Sequence, residues 1–130
     1  MKRQLSVLVV DDEPIVGKRL RPALEKEGHT VEVFEDGTSA LARIAERTFD
    51  IVVTDVRMDD VDGIQVLEAV QAMSTRTKVI LITGYATVEL AREALAKGAF
   101  DFIAKPFTPK DLRAVIDKAV KKLEQEPVGV

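Results

Sequence analysis

Two hydrophobic periods alternate along the chain. Short runs of β-branched and aliphatic residues fall at Val7 to Val10, Val31 to Phe34, Ile51 to Thr54, Val79 to Thr83 and Phe102 to Ala104, each bounded by polar residues or glycine, as buried strands are. Between them apolar residues recur at helical spacing: Ile15, Val16, Leu20 and Leu24; Ala40, Leu41, Ile44 and Ala45; Ile64, Val66, Leu67 and Val70; Val88, Ala91 and Leu95; and finally Leu112, Val115, Ile116, Ala119 and Leu123. Gly28 and Gly98 follow the first and fourth of these, and Thr108 stands as a capping hydroxyl before Pro109 at a first helical position. The predicted order is therefore strand then helix, five times over. Such alternation implies a parallel sheet with helices on both faces and right-handed crossovers. The wholly apolar runs VLVV and VILI suit central strands covered on both sides. The expected fold is α/β, a doubly wound (βα)5 three-layer sandwich. Periodicity fades after Leu123, so one domain over 1–124 is expected, with 125–130 as a C-terminal tail or linker stub.

A chain of 130 residues that is 46% hydrophobic has the size and apolar content for a single core. It contains no cysteine, which removes disulfide frameworks and thiolate zinc sites and fits a reducing, cytoplasmic setting. No stretch approaches the ~20 apolar residues that span a bilayer, and the N-terminal apolar run is too short for a secretory signal, so no membrane partner is expected. A formal charge of −3 argues against a broad nucleic-acid surface on this domain.

Charge matters more through its placement. Open parallel sheets bind ligands outside the carboxyl ends of their strands. Here the first strand runs into Asp11, Asp12 and Glu13, the third into Asp55, the fourth into Thr83 and Gly84, and the fifth into Lys105 and Pro106; the second ends less distinctively, in Phe34 and Glu35. Two unit charges ~4 Å apart repel by about 1 kcal/mol in water and about 4 at the effective dielectric of a protein surface. Clustered carboxylates therefore need protons or a cation. Magnesium is the natural choice, since it prefers carboxylate oxygens and completes its octahedron with waters and phosphoryl oxygens. Lys105 would add a point charge for the same phosphoryl group and Thr83 a hydroxyl, while Asp55 becomes a candidate nucleophile able to form an aspartyl phosphate.

Plainer roles compete for these residues. Asp12 and Glu13 could cap the helix begun by Pro14, and Thr83-Gly84 could be only a turn. An EF-hand with Gly63 as its loop glycine is excluded, because Met58 and Ala69 would fall at ligand positions. His29, the sole histidine, is expected at the surface, Tyr85 as a partly exposed loop aromatic, and Phe100, Phe102 and Phe107 in the core. Lys118, Lys121, Lys122 and Glu124 read as one solvated helix face.

Asp11-Asp12, Asp55, Thr83 and Lys105-Pro106, together with MDDVDG at Met58 to Gly63 and GAFDFIAKPF at Gly98 to Phe107, resemble the receiver domain of two-component response regulators over about Leu5 to Leu123. The resemblance implies a flavodoxin-like strand order, 2-1-3-4-5. It implies that Asp55 takes a phosphoryl group from a sensor histidine kinase or phosphotransfer protein. It further implies magnesium held by Asp12 and Asp55 directly, by Asp11 more through water, and by the backbone carbonyl of Arg57. Lys105 would contact the phosphoryl group beside a cis Lys105-Pro106 bond; Thr83 would move toward that group, and Phe102 would be an aromatic switch. One departure stands out: the family usually has proline where this chain has Asp59. Asp59, Asp60 and Asp62 make an acidic loop, freer at 59 than proline would leave it, yet no expected ligand is lost.

Three functions follow from these residues. The first is a phosphorylation-dependent switch that catalyses only its own phosphorylation and dephosphorylation, and whose fourth helix, fifth strand and fifth helix act on an output domain, a partner or a phosphorylation-dependent homodimer. The VRMDDVDG and GYATVELAREALAKGAFDFIAKPF segments are similar to receivers joined to transcriptional activators, and a stand-alone receiver and one cut from a longer regulator both remain open. The second, a Mg2+-dependent aspartyl-phosphate phosphatase of small molecules, would carry D-x-D after its first strand, where this chain has DDEP, and would need a cap insertion. The third, a flavin carrier, would need a Ser/Thr-rich phosphate loop in place of an anionic rim.

Overall fold

The computed structural model describes residues 4–84 and 87–126. Tyr85, assigned to a loop above, lies outside these residues. Strands β1 (Ser6–Val10), β2 (Thr30–Phe34), β3 (Ile51–Asp55), β4 (Lys78–Thr83) and β5 (Asp101–Ala104) alternate with helices α1 (Pro14–Lys26), α2 (Gly37–Glu46), α3 (Gly63–Met73), α4 (Val88–Ala96) and α5 (Pro109–Gln125). All four strand pairings are parallel, in the order β2-β1-β3-β4-β5. That is the doubly wound order expected above, and each strand extends at most one residue beyond its apolar run at either end.

Successive residues of the central strands point to opposite faces, and the core divides accordingly. Leu8, Val10, Val52 and Leu81 join Ile44 of α2 and Leu67 of α3, with Ala91 of α4, on one face. Val7, Val9, Ile80 and Ile82 join Leu20 of α1 and Ile116 of α5 on the other. Each fully buried aliphatic side chain contributes about 1.5–3 kcal/mol, so the helices are held mainly by these contacts. By that measure α4 is held least, since only Ala91 and Ala94 of it are buried.

Local signals set the boundaries. Gly28 and Gly98 adopt positive φ of 93° and 110° just past α1 and α4, where other residues would be strained. Thr108 caps α5 in a capping box with Asp111. The α5 helix runs on to Gln125, and Glu126 pairs with Lys78, so ordered structure continues three residues past Leu123, the last residue of the apolar period. Among the described residues no helix is long and apolar enough to cross a membrane.

Three burial expectations are corrected. His29 is buried, 7% exposed, because its Nδ1 accepts a hydrogen bond from the Leu5 amide at 3.3 Å and so closes the start of β1. Phe102 is not core: it sits on edge strand β5 and is 42% exposed, while Phe100 and Phe107 are half-buried. Ile15 and Val88, counted with the helical stripes, lie in the first turns of their helices and are exposed at 51% and 41%. The lysine-rich face of α5 is solvated as expected.

Candidate phosphoacceptor and metal site

Strands β1, β3, β4 and β5 end at one rim and deliver Asp11 with Asp12, Asp55, Thr83 and Lys105 to it. Asp55 is the last residue of β3 and is buried, as is Asp11 directly after β1; Asp12 is exposed. Carboxylate oxygens of Asp11, Asp12 and Asp55 lie within 4.8 Å of one another. Lys105 Nζ reaches Asp55 Oδ2 at 3.2 Å and Asp11 Oδ2 at 3.4 Å, and also contacts Glu13 Oε1. The Lys105-Pro106 bond is cis. The Arg57 amide donates to Asp55 Oδ1 at 3.2 Å, holding the start of the next loop against the carboxylate. Thr83 is buried, paired in register with Ala104.

The capping alternative for DDEP fails on geometry. Glu13 occupies the N-cap of α1 but makes no side-chain cap bond, and Asp11 Oδ1 instead accepts from the Glu13 amide at 2.9 Å. The other Asp11 oxygen, Oδ2, is buried and accepts no hydrogen bond. Burial accordingly pushes the Asp11 carboxyl up to about 6, helped by the Asp55 charge and opposed by the Glu13 amide and Lys105. The Asp12 carboxyl is raised too, by burial first and then by the charges of Asp55 and Asp59. Burial alone would lower Lys105; its bond to Glu13 and the charges of Asp11 and Asp55 outweigh that and raise it. Lys105 thus stays charged and offsets part of a cluster that still carries an excess of negative charge.

These positions match a family pattern across most of the chain. The model for the response regulator receiver domain covers residues 7–117. The chain belongs to the response regulator receiver family. It is similar to the regulatory protein AtoC of Escherichia coli, 40% identical over 115 residues, and to the transcriptional regulatory protein FixJ of Bradyrhizobium diazoefficiens, 35% identical over 118 residues. These matches cover 88% and 91% of this chain but 25% of AtoC and 58% of FixJ, so the chain spans only part of each relative's length. A CheY-like receiver domain protein from Methanospirillum hungatei superposes with a TM-score of 0.89 at 30% identity, covering 96% of this chain and all of that one.

Two features of this receiver's site lay beyond sequence reasoning. The Glu13 contact to Lys105 joins residues 92 positions apart. The acidic loop is also tied down: Asp62 caps α3 in a capping box with Gln65, and Asp60 bonds the first turn of α2.

Proposed function

We propose that this receiver domain is a signalling switch that takes a phosphoryl group onto Asp55 from the phosphohistidine of a sensor histidine kinase or phosphotransfer protein. The carrying observation is a buried carboxylate, Asp55, held 3.2 Å from the Lys105 ammonium and clustered with two further carboxylates. Three carboxylates, one with a buried oxygen that accepts no hydrogen bond, are a donor set suited to a hard dication. Asp12 and Asp55 would hold magnesium directly, with Asp11 through water and Arg57 through its backbone carbonyl. Magnesium there would neutralise charge on the transferring oxygens.

The protein's own residues account for the rest of the chemistry. An Asp55 oxygen forms the bond to phosphorus as the P–N bond to the donor imidazole breaks, and that electron pair returns to the ring nitrogen. Lys105 then meets a phosphoryl oxygen where it now meets carboxylates, and Thr83 supplies a hydroxyl hydrogen bond. The altered surface would be α4, β5 and α5, acting on an output domain, a partner or a second copy; the names of AtoC and FixJ as regulators, the latter of transcription, support a transcriptional output. Intact-mass measurement after incubation with a small acyl phosphate should show one added phosphoryl group that requires magnesium. An equal gain in Asp55→Asn, or full labelling without a divalent cation, would overturn the reading.

A further inference from the structure

The loop between β3 and α3 supplies Arg57 to the site, and its acidic residues have no place in the chemistry above. Asp60 is engaged by the start of α2: its carboxylate accepts from the Gly37 amide at 3.2 Å, from the Thr38 amide at 2.9 Å and from the Thr38 hydroxyl at 2.7 Å. Those two amides open α2. The next two are satisfied by Asp36, through its side chain for Ser39 and its carbonyl for Ala40. The bond to Ala40 is the first of the helix itself, so the three amides before it, of Gly37, Thr38 and Ser39, are divided between the helix's own cap and a side chain from another loop.

The approach is close, and glycine permits it. A Cβ on Gly37 would stand 2.5 Å from Val61 Cβ and 3.2 Å from Asp60 Oδ1. The loop is closed at its base by the Arg57–Asp62 bridge and pinned by the burial of Met58 and Val61. Asp60 adds a bond from its tip to a neighbouring element. The three hydrogen bonds hold the Asp60 carboxyl down at about 2, the Thr38 hydroxyl contributing most.

The geometry points to Asp60 as a positioning residue, a staple between the β3–α3 loop and the start of α2 that holds the Arg57 end of the loop in place for the metal site, where Asp59 leaves the backbone without proline's restraint. This rests on the magnesium-assisted reading above. Asp60 acts through the loop, and its charge is engaged by the helix start.

Two variants separate a mechanical from an electrostatic effect. Asp60→Ala removes the staple and a charge; Thr38→Ala removes one staple bond and leaves every charge in place. In both, amide exchange over Arg57 to Val61 should quicken while β1 and β3 exchange as in the parent. Calorimetric titration with magnesium chloride should show affinity weakened by about tenfold in Asp60→Ala, the low end of what partners that orient metal ligands contribute. It should weaken by a smaller factor in Thr38→Ala, and Asp60→Asn should recover part of the loss. Parent-like exchange in both variants, or affinity lost in Asp60→Ala but wholly kept in Thr38→Ala, overturns the staple. A parent chain that takes up no magnesium overturns the functional reading instead.

Discussion

Asp11 is a buried carboxylate just past the end of β1. A buried carboxylate that accepts a single hydrogen bond, and whose other oxygen has only the Lys105 ammonium at 3.4 Å, is costly for a metal-free fold. Because its folded value is raised, to about 6 from an ordinary 3.8, the favourable contribution is fully present below about pH 4 and lost as pH rises through about 6. Asp11→Asn should therefore raise the thermal midpoint of the metal-free protein at pH 7, by about 4 °C if relief is ~1 kcal/mol, and leave it nearly unchanged at about pH 3, below the ordinary carboxylate value. Calorimetric scans at the two pH values check this; an equal rise at both would mean the gain comes from packing and not from charge. Asp11, Asp12, Asp55 and Lys105 were all legible in the sequence, because strand ends in a parallel sheet share one rim. Glu13, Asp60 and His29 were not: their partners are Lys105, Thr38 and Leu5, and nothing local in the sequence fixes those pairings.

Among the elements, α4 and β5 are the loosest and lie where a switch would act. Only two alanines of α4 are buried, and β5 is a four-residue edge strand with the Phe102 ring exposed. Sequence periodicity located both but could not show this looseness, since an edge strand and a central one share the same apolar run until their neighbours are known. Thr83 and Phe102 lie on neighbouring strands, with Leu81 facing Phe102 and Thr83 facing Ala104 in register, so both point to the α4 side of the sheet. If Thr83 moves to a phosphoryl group, the Phe102 ring gains room to turn inward, and charge at Asp55 becomes a packing change. Beryllium fluoride, standing in for the phosphoryl group, should shift amide resonances across α4, β5 and α5. Thr83→Ala should still bind it yet show a smaller shift at Phe102 and beyond. A tenfold change in the ratio of states needs only about 1.4 kcal/mol of differential interaction. Shifts confined to the residues around Asp55 would rule out the coupled switch.

At the scale of the molecule, the (βα)5 order was readable from alternating periods alone, because a doubly covered parallel sheet leaves little freedom in its connections. The spatial order of the strands was not; it came from resemblance to the receiver family and stands in the structure as β2-β1-β3-β4-β5. That order sets β1 between β2 and β3, so Asp11, Asp12 and Asp55 meet although more than forty residues separate them. The proposed function turns on one carboxylate, Asp55, taking the phosphoryl group. Reductive trapping of the phosphorylated protein, followed by peptide mapping by tandem mass spectrometry, locates the modified carboxyl directly. The account predicts modification at Asp55 alone; label at Asp11, Asp12, Glu13 or the Asp59–Asp62 loop, with Asp55 unmodified, would contradict it.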